Sequence, residues 1–122
     1  MENQNKRYDL EERTAVFAEN ARDFCLRLSK NVANNIFIPQ LIRASSSPGA
    51  NYIEANESIG EKDFAMKIKT CRREAKESAY WLRLIIIEDS PDLELIRERL
   101  RQEAKGFILI FTSILKNRTA KV

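Results

Sequence analysis

The side chains most able to contact a ligand are cations that fall in two regular rows. The first row repeats every seven residues, with one arginine beside it, and the second repeats every four, so each row occupies one face of a predicted helix. The candidate residues are Lys62, Lys69, Arg73, Lys76 and Arg83 in the first row, and Arg97, Arg101 and Lys105 in the second. Such rows could follow the evenly spaced phosphates of RNA or DNA. The alternative is a solvated face on which neighbouring glutamates neutralise the cations.

Other chemistry is poorly supported by the sequence. The chain has no histidine, which removes the commonest general base and the commonest metal ligand. Glu74 and Glu77 lack the histidine partners of a di-iron bundle, and the serines at 45–47 have no visible base. Cys25 and Cys71 lie on or beside apolar seams, as small buried hydrophobic residues do. We therefore expect no enzyme, no catalytic residue, no metal and no cofactor.

Length and composition indicate one helical domain. With 122 residues, 43% of them hydrophobic, the chain can bury one core but not two, so residues 1–122 form a single domain. Three glycines and three prolines are too few for a β-protein with many turns. The longest apolar run, residues 107–115, is about half a membrane span, and no secretory signal is visible, so we expect a cytoplasmic protein without membrane contact. The net charge of +3 permits a polyanion partner without requiring one.

Apolar periodicity predicts four helices, at about 9–30, 39–57, 61–88 and 91–116. In the third helix, apolar or small residues alternate steps of four and three: Phe64, Ile68, Cys71, Ala75, Ser78, Leu82 and Ile85. Asp9 with Glu12 marks the start of the first helix, and Ser90 before Pro91 marks the start of the fourth. Because the connections are short, consecutive helices should be antiparallel, which predicts an all-α, up-down-up-down four-helix bundle.

The second helix carries conflicting signals. Residues 31–38 contain three asparagines and predict a connector, with Pro39 in the first turn of the helix that follows. The serines at 45–47, with Pro48 and Gly49, would normally form a loop and divide the segment into two short helices. Against this, one face stays in register from Leu41 to Asn56. We expect one continuous helix kinked near Pro48, because proline removes a backbone hydrogen bond.

Two segments carry more apolar residues than one bundle seam can bury. They are the end of the third helix and the middle of the fourth, and such surplus usually marks a subunit interface. The candidate interface residues are Trp81, Leu84, Ile86, Ile87, Ile108 and Leu109. We therefore expect self-association through the third and fourth helices.

Several short motifs resemble a known family. They are Gln40-Leu41-x-Arg43-Ala44, Ala50-Asn51-x-x-Glu54-Ala55 and Glu74-Ala75-x-Glu77-Ser78-x-Tyr80-Trp81-Leu82. Together they are similar to the bacterial four helix bundle protein family, whose members include proteins encoded within intervening sequences of 23S ribosomal RNA genes. Residues 46–49 and Pro39 depart from the family pattern. A related branch contains the accessory variability proteins of diversity-generating retroelements.

The resemblance implies a bundle that often assembles as a ring-like homopentamer. For the retroelement branch, the resemblance implies contact with nucleic acid and reverse transcriptase. For the intervening-sequence branch, to which this chain looks closer, it implies no settled activity. The shared polar residues are Gln40, Arg43, Asn51, Glu54 and Glu77, which could form a recognition site or could satisfy one another.

The expected function is a non-enzymatic homo-oligomer that binds RNA or DNA weakly. No base-stacking aromatic platform is evident in the sequence, so sequence preference should also be weak. The alternative is a protein-interaction module that binds no nucleic acid.

Overall fold

Four α-helices build the protein, each packed against the next one along the chain. The computed structural model describes the backbone of residues 2–120 and the side chains of residues 9–117. The helices are α1 (Glu2–Leu26), α2 (Val32–Asn56), α3 (Glu61–Leu84) and α4 (Pro91–Ala120), and the described residues include no strand. The predicted all-α four-helix bundle is confirmed.

The core forms where the apolar seams of the four helices meet. Its largest fully buried side chains are Phe17, Phe24, Leu41, Ile68, Leu82, Phe107 and Phe111. The Phe17 and Phe107 rings meet edge to face with 5.3 Å between their centroids, which joins α1 to α4. The α3 seam is buried at Ile68, Cys71 and Ala75, so its predicted register is correct.

Helix α2 begins seven residues before the predicted start at Pro39. The side chain of Asn31 caps it by accepting a hydrogen bond of 2.8 Å from the backbone N–H of Asn34. Residues 32–38 are therefore helical rather than a connector, because Asn34 is buried and Phe37 packs against the core. The helix then continues through both Pro39 and Pro48, which confirms one continuous helix. The kink expected near Pro48 stays a prediction.

Helix α3 ends at Leu84 rather than near residue 88. Ile85 has extended backbone angles, and residues 85–90 form a six-residue linker that is longer than expected. Ile85 and Ile87 nevertheless pack against the core, so apolar residues continue beyond the end of the helix. Arg97 of α4 donates hydrogen bonds to the carbonyls of Leu82 and Ile85, which satisfies acceptors that the helix end leaves open.

A buried asparagine joins the two linkers at the same end of the bundle. The side-chain amide of Asn34 donates to the carbonyls of Ser29 and Ile86, at 3.0 Å each. Its carbonyl oxygen accepts from the backbone N–H of Ile86 at 2.9 Å. One side chain therefore links the connection after α1 to the connection after α3.

The outer helices also differ from their predicted bounds. Helix α1 begins at Glu2 and ends at Leu26, so Asp9 lies inside it and does not begin it. Helix α4 begins as predicted, with the Ser90 hydroxyl accepting from the N–H of Leu93 at 3.2 Å, but it extends to Ala120. Helices α1 and α4 contact each other least of the packed pairs. A cleft of about 470 Å³ lies between them, lined by residues that include Val16, Phe24, Ile96 and Arg99.

Candidate nucleic-acid interface

Seven exposed side chains form one outward line along α3, which we call the α3 ridge. The ridge comprises Lys62, Met66, Lys69, Arg73, Lys76, Tyr80 and Arg83, all of them exposed. Their spacing alternates steps of four and three, so they stay on one side of the helix over six turns. The structure thus brings together all five cations predicted on this helix.

The cations of the α3 ridge are little neutralised by neighbouring acids. Among the side chains that the structure describes, Lys62, Lys69, Lys76 and Arg83 form no ion pair. Arg73 approaches Glu74 at 3.6 Å and keeps 64% of its side chain exposed. A surface pair of that length contributes little, so the ridge presents a nearly continuous positive charge.

Two uncharged residues of the ridge were missed by sequence reasoning. Met66 is 58% exposed and Tyr80 is 54% exposed, and both stand between cations. A repeat of seven residues does not include Met66 and Tyr80, whereas alternating steps of four and three do include them. The expectation that no aromatic platform accompanies the cations is therefore incomplete, because Tyr80 is an exposed ring on the same line.

The second predicted row, on α4, does not form a comparable surface. Arg97 keeps only 15% of its side chain exposed, because it binds the end of α3 and pairs with Glu94 at 2.9 Å. Arg101 is 31% exposed and lies 3.7 Å from Glu98. Lys105 is the one residue of the row in the exposed class. Steps of four drift by about 40° per step around a helix, so this row winds from the α3 contact to the surface.

Three of the shared polar residues join one network between α2 and α3. Arg43 donates to Glu77 at 2.8 Å and to the buried Glu74 at 3.2 Å, and it contacts the side-chain oxygen of Gln40 at 3.4 Å. The hydrogen bond to Glu77 is the main cause that raises the pKa of Arg43 above its usual value, with help from Glu74. Arg43 therefore binds the carboxylates of Glu74 and Glu77, and both favour the charged form of its guanidinium.

The other two shared polar residues also have partners within the chain. The Asn51 amide donates to the carbonyl and the hydroxyl of Ser47, at 3.0 and 2.9 Å. Glu54 lies 3.6 Å from Lys67 of α3. Each shared polar residue thus contacts another side chain of the same protein, but only Gln40, Arg43 and Glu77 contact one another.

The predicted interface residues divide between the core and the surface. Trp81, Ile87 and Ile108 pack against the core of their own chain, and Leu84 is half-buried. Ile86 and Leu109 remain 43% and 71% exposed. Other exposed apolar residues lie along α2, and we call this set the α2 face: Val32, Ile36, Ile42 and Ile53.

The cysteines match the prediction of small buried hydrophobic residues. Cys25 and Cys71 are free and buried. Burial raises the pKa of Cys25 to about 11 and that of Cys71 to about 12, so neither thiol ionises near neutral pH. Within the described side chains, no three acidic or cysteine residues group together as metal ligands would. None of the helices, over their described residues, has the length and hydropathy of a membrane span.

Comparisons with known proteins give a likeness of fold. No family model matches the chain, and no curated protein matches it. Among solved structures, it is similar to a protein with unknown function from the S23 ribosomal protein family of Bacteroides thetaiotaomicron VPI-5482. The TM-score is 0.74 and the identity 24%, over 88% of this chain and 98% of that one. At that identity the likeness shows a shared helical bundle, and the resemblance to intervening-sequence proteins and retroelement proteins stays a prediction.

Proposed function

We propose that this protein is a non-enzymatic, homo-oligomeric helical bundle that binds RNA or DNA weakly through the α3 ridge. The observation that carries the proposal is the ridge itself, where five exposed cations share one side of one helix. Four of them have no ion-pair partner among the described side chains, so their charge is available to a ligand.

The spacing of the ridge suits a polyanion. Seven residues advance a helix by about 10 Å, so Lys62, Lys69 and Lys76 present charge at regular intervals over three levels. Exposed cations gain affinity for a phosphate backbone by releasing its condensed counterions, which makes such binding sensitive to salt and tolerant of sequence. The family name of the similar solved structure supports RNA as the first polyanion to test.

Filter binding of a structured RNA at rising salt tests the proposal. Arg73→Glu combined with Lys76→Glu should weaken binding and reduce the slope of log affinity against log salt by about 1.5, because two phosphate contacts are lost. The matched control is Arg22→Glu combined with Lys30→Glu, which changes net charge equally at exposed positions off the ridge. RNA affinity that is absent, or that falls equally in both double variants, would contradict the proposal.

A second observation favours a protein contact as well. The four residues of the α2 face are 43–84% exposed, and burying such apolar side chains against another protein is favourable. The occupant we propose is a second copy of this chain, in the ring-like pentamer that the family resemblance implies. If the α2 face instead binds a different polypeptide, the protein is an interaction module, and the native mass of the purified chain separates the two.

A further inference from the structure

We infer that Tyr80 stacks on an unpaired base when the α3 ridge binds single-stranded RNA or DNA. The inference rests on the proposed function, since it specifies which form of nucleic acid the same ridge takes. Duplex bases already stack on one another and offer only their edges in the grooves, whereas unpaired bases expose their faces to aromatic side chains.

The position of Tyr80 places its ring between phosphate-binding groups. Lys76 lies four residues before it and Arg83 three residues after it, so both are its neighbours on the ridge. Glu77, three residues before Tyr80, is the nearest acid along this side, and its carboxylate is already bound by Arg43 at 2.8 Å. A base on the ring would therefore have cations on both sides for the flanking phosphates.

The ring of Tyr80 is held by a packed neighbour. Trp81 meets it edge to face, with 5.1 Å between centroids and 67° between the planes. Trp81 is itself fixed by Phe37 of α2, at 5.9 Å, and packs against the core. An exposed ring that is already oriented loses less conformational entropy on binding than a free one.

The two tyrosines whose side chains the structure describes differ in exposure. Tyr52 is 6% exposed and packs against Phe111 with 6.1 Å between ring centroids, so it serves the core. Tyr80 keeps 54% of its surface in solvent and lies outside the core cluster. Its exposed ring is thus available to a ligand and is not needed to fill the bundle.

Fluorescence anisotropy with a labelled twelve-nucleotide uridine RNA, and with a strand of the same length that lacks bases, tests the inference. Tyr80→Ala should weaken binding of the uridine strand by about 5- to 150-fold and leave binding of the baseless strand unchanged. Tyr80→Phe should bind both as the unaltered protein does, because the ring is retained. Met66→Ala is the matched control, since it removes an equally exposed apolar side chain from the same ridge.

The outcomes separate this inference from the function on which it rests. If the unaltered protein binds the structured RNA but neither single strand at low salt, the inference fails and the proposed function stands. If it binds none of the three, both fail. If it binds both strands equally and Tyr80→Ala changes neither affinity, the cationic ridge stands and the stacking role is overturned. Equal loss on both strands, or equal loss in Met66→Ala, would also overturn stacking. Helical circular dichroism of each variant confirms that the comparison is between folded proteins.

Discussion

At the scale of single residues, Asn34 joins the linker after α1 to the linker after α3. Its side chain is fully buried and combines a donor and an acceptor, which lets it bind both the N–H and the carbonyl of Ile86. A leucine of similar volume would fill the space but would leave those backbone groups unpaired. Hydrogen bonding, more than size, therefore determines why position 34 holds an asparagine.

Replacing Asn34 tests that role. Asn34→Ala should lower the free energy of unfolding by about 1–3 kcal/mol, because backbone groups of the 85–90 linker lose their partner. Urea denaturation followed by circular dichroism measures the change. Asn35→Ala is the control, since Asn35 is the exposed neighbour in the same turn of α2. Equal effects of the two substitutions would show that the Asn34 hydrogen bonds add nothing to stability.

At the scale of helices, α1 and α2 approach closely at one glycine. A Cβ atom at position 49 would lie 3.0 Å from Oγ1 and 3.3 Å from Cβ of Thr14. The Thr14 hydroxyl is held by a 2.8 Å hydrogen bond to the carbonyl of Leu10, and the residue is buried, so it has little room to move. Gly49 thus sets the distance between the two helices.

This close approach reverses the usual effect of adding a methyl group to a helical glycine. Alanine is normally more favourable than glycine in a helix by about 1 kcal/mol, whereas overpacking costs about 1–3 kcal/mol. Gly49→Ala should therefore lower the free energy of unfolding by about 1 kcal/mol. In a Thr14→Ala background the penalty should shrink, and a double-mutant cycle by urea denaturation measures the coupling. Additive effects would mean that the helices simply separate to make room.

Sequence periodicity predicts the middle of each helix better than its ends. The buried residues of α3 follow from alternating steps of four and three, which only a helix with one inner face produces. The end of α3 could not be predicted this way, because Ile85 is buried and Ile87 packs against the core although both lie beyond the helix end. The start of α2 was misplaced because Pro39 suggested a first turn, while the capping by Asn31 carried the correct signal.

Helix periodicity likewise predicts one part of the candidate site and misses another. Repeats of seven revealed the cations of the α3 ridge, since their positions depend only on helix geometry. The burial of Arg97 depends on carbonyls that α3 exposes only where the chain reverses, and no local pattern encodes that contact. The exposure of Tyr80 depends likewise on which side of α3 its neighbours leave open.

At the scale of the whole molecule, the α2 face predicts self-association. Burial of the four exposed apolar residues on each copy favours assembly. The family resemblance implies a pentamer, so the purified protein should have a native mass of about five times the 14.2 kDa of one chain. Light scattering after size exclusion measures the mass. Ile36→Glu combined with Ile53→Glu should yield folded monomers, because the contact would bury unpaired charges.

The control for assembly is Ile59→Glu, which alters an isolated and 94% exposed residue between α2 and α3. This variant should keep the mass of the unaltered protein. A monomeric protein at micromolar concentration would remove the proposed homo-oligomer, and assembly that survives the α2 substitutions would move the contact to another surface.

The order of packing in the bundle has a consequence for how the chain folds. Among the described residues, most contacts join helices that are consecutive in sequence, and the limited contact between α1 and α4 is the one that joins the first helix to the last. Low separation between partners keeps the entropy cost of loop closure small and favours fast folding. During synthesis, α1, α2 and α3 can pair in turn before α4 is complete. The Arg13–Glu103 and Arg27–Asp92 ion pairs that cross to α4 are then among the last contacts to form.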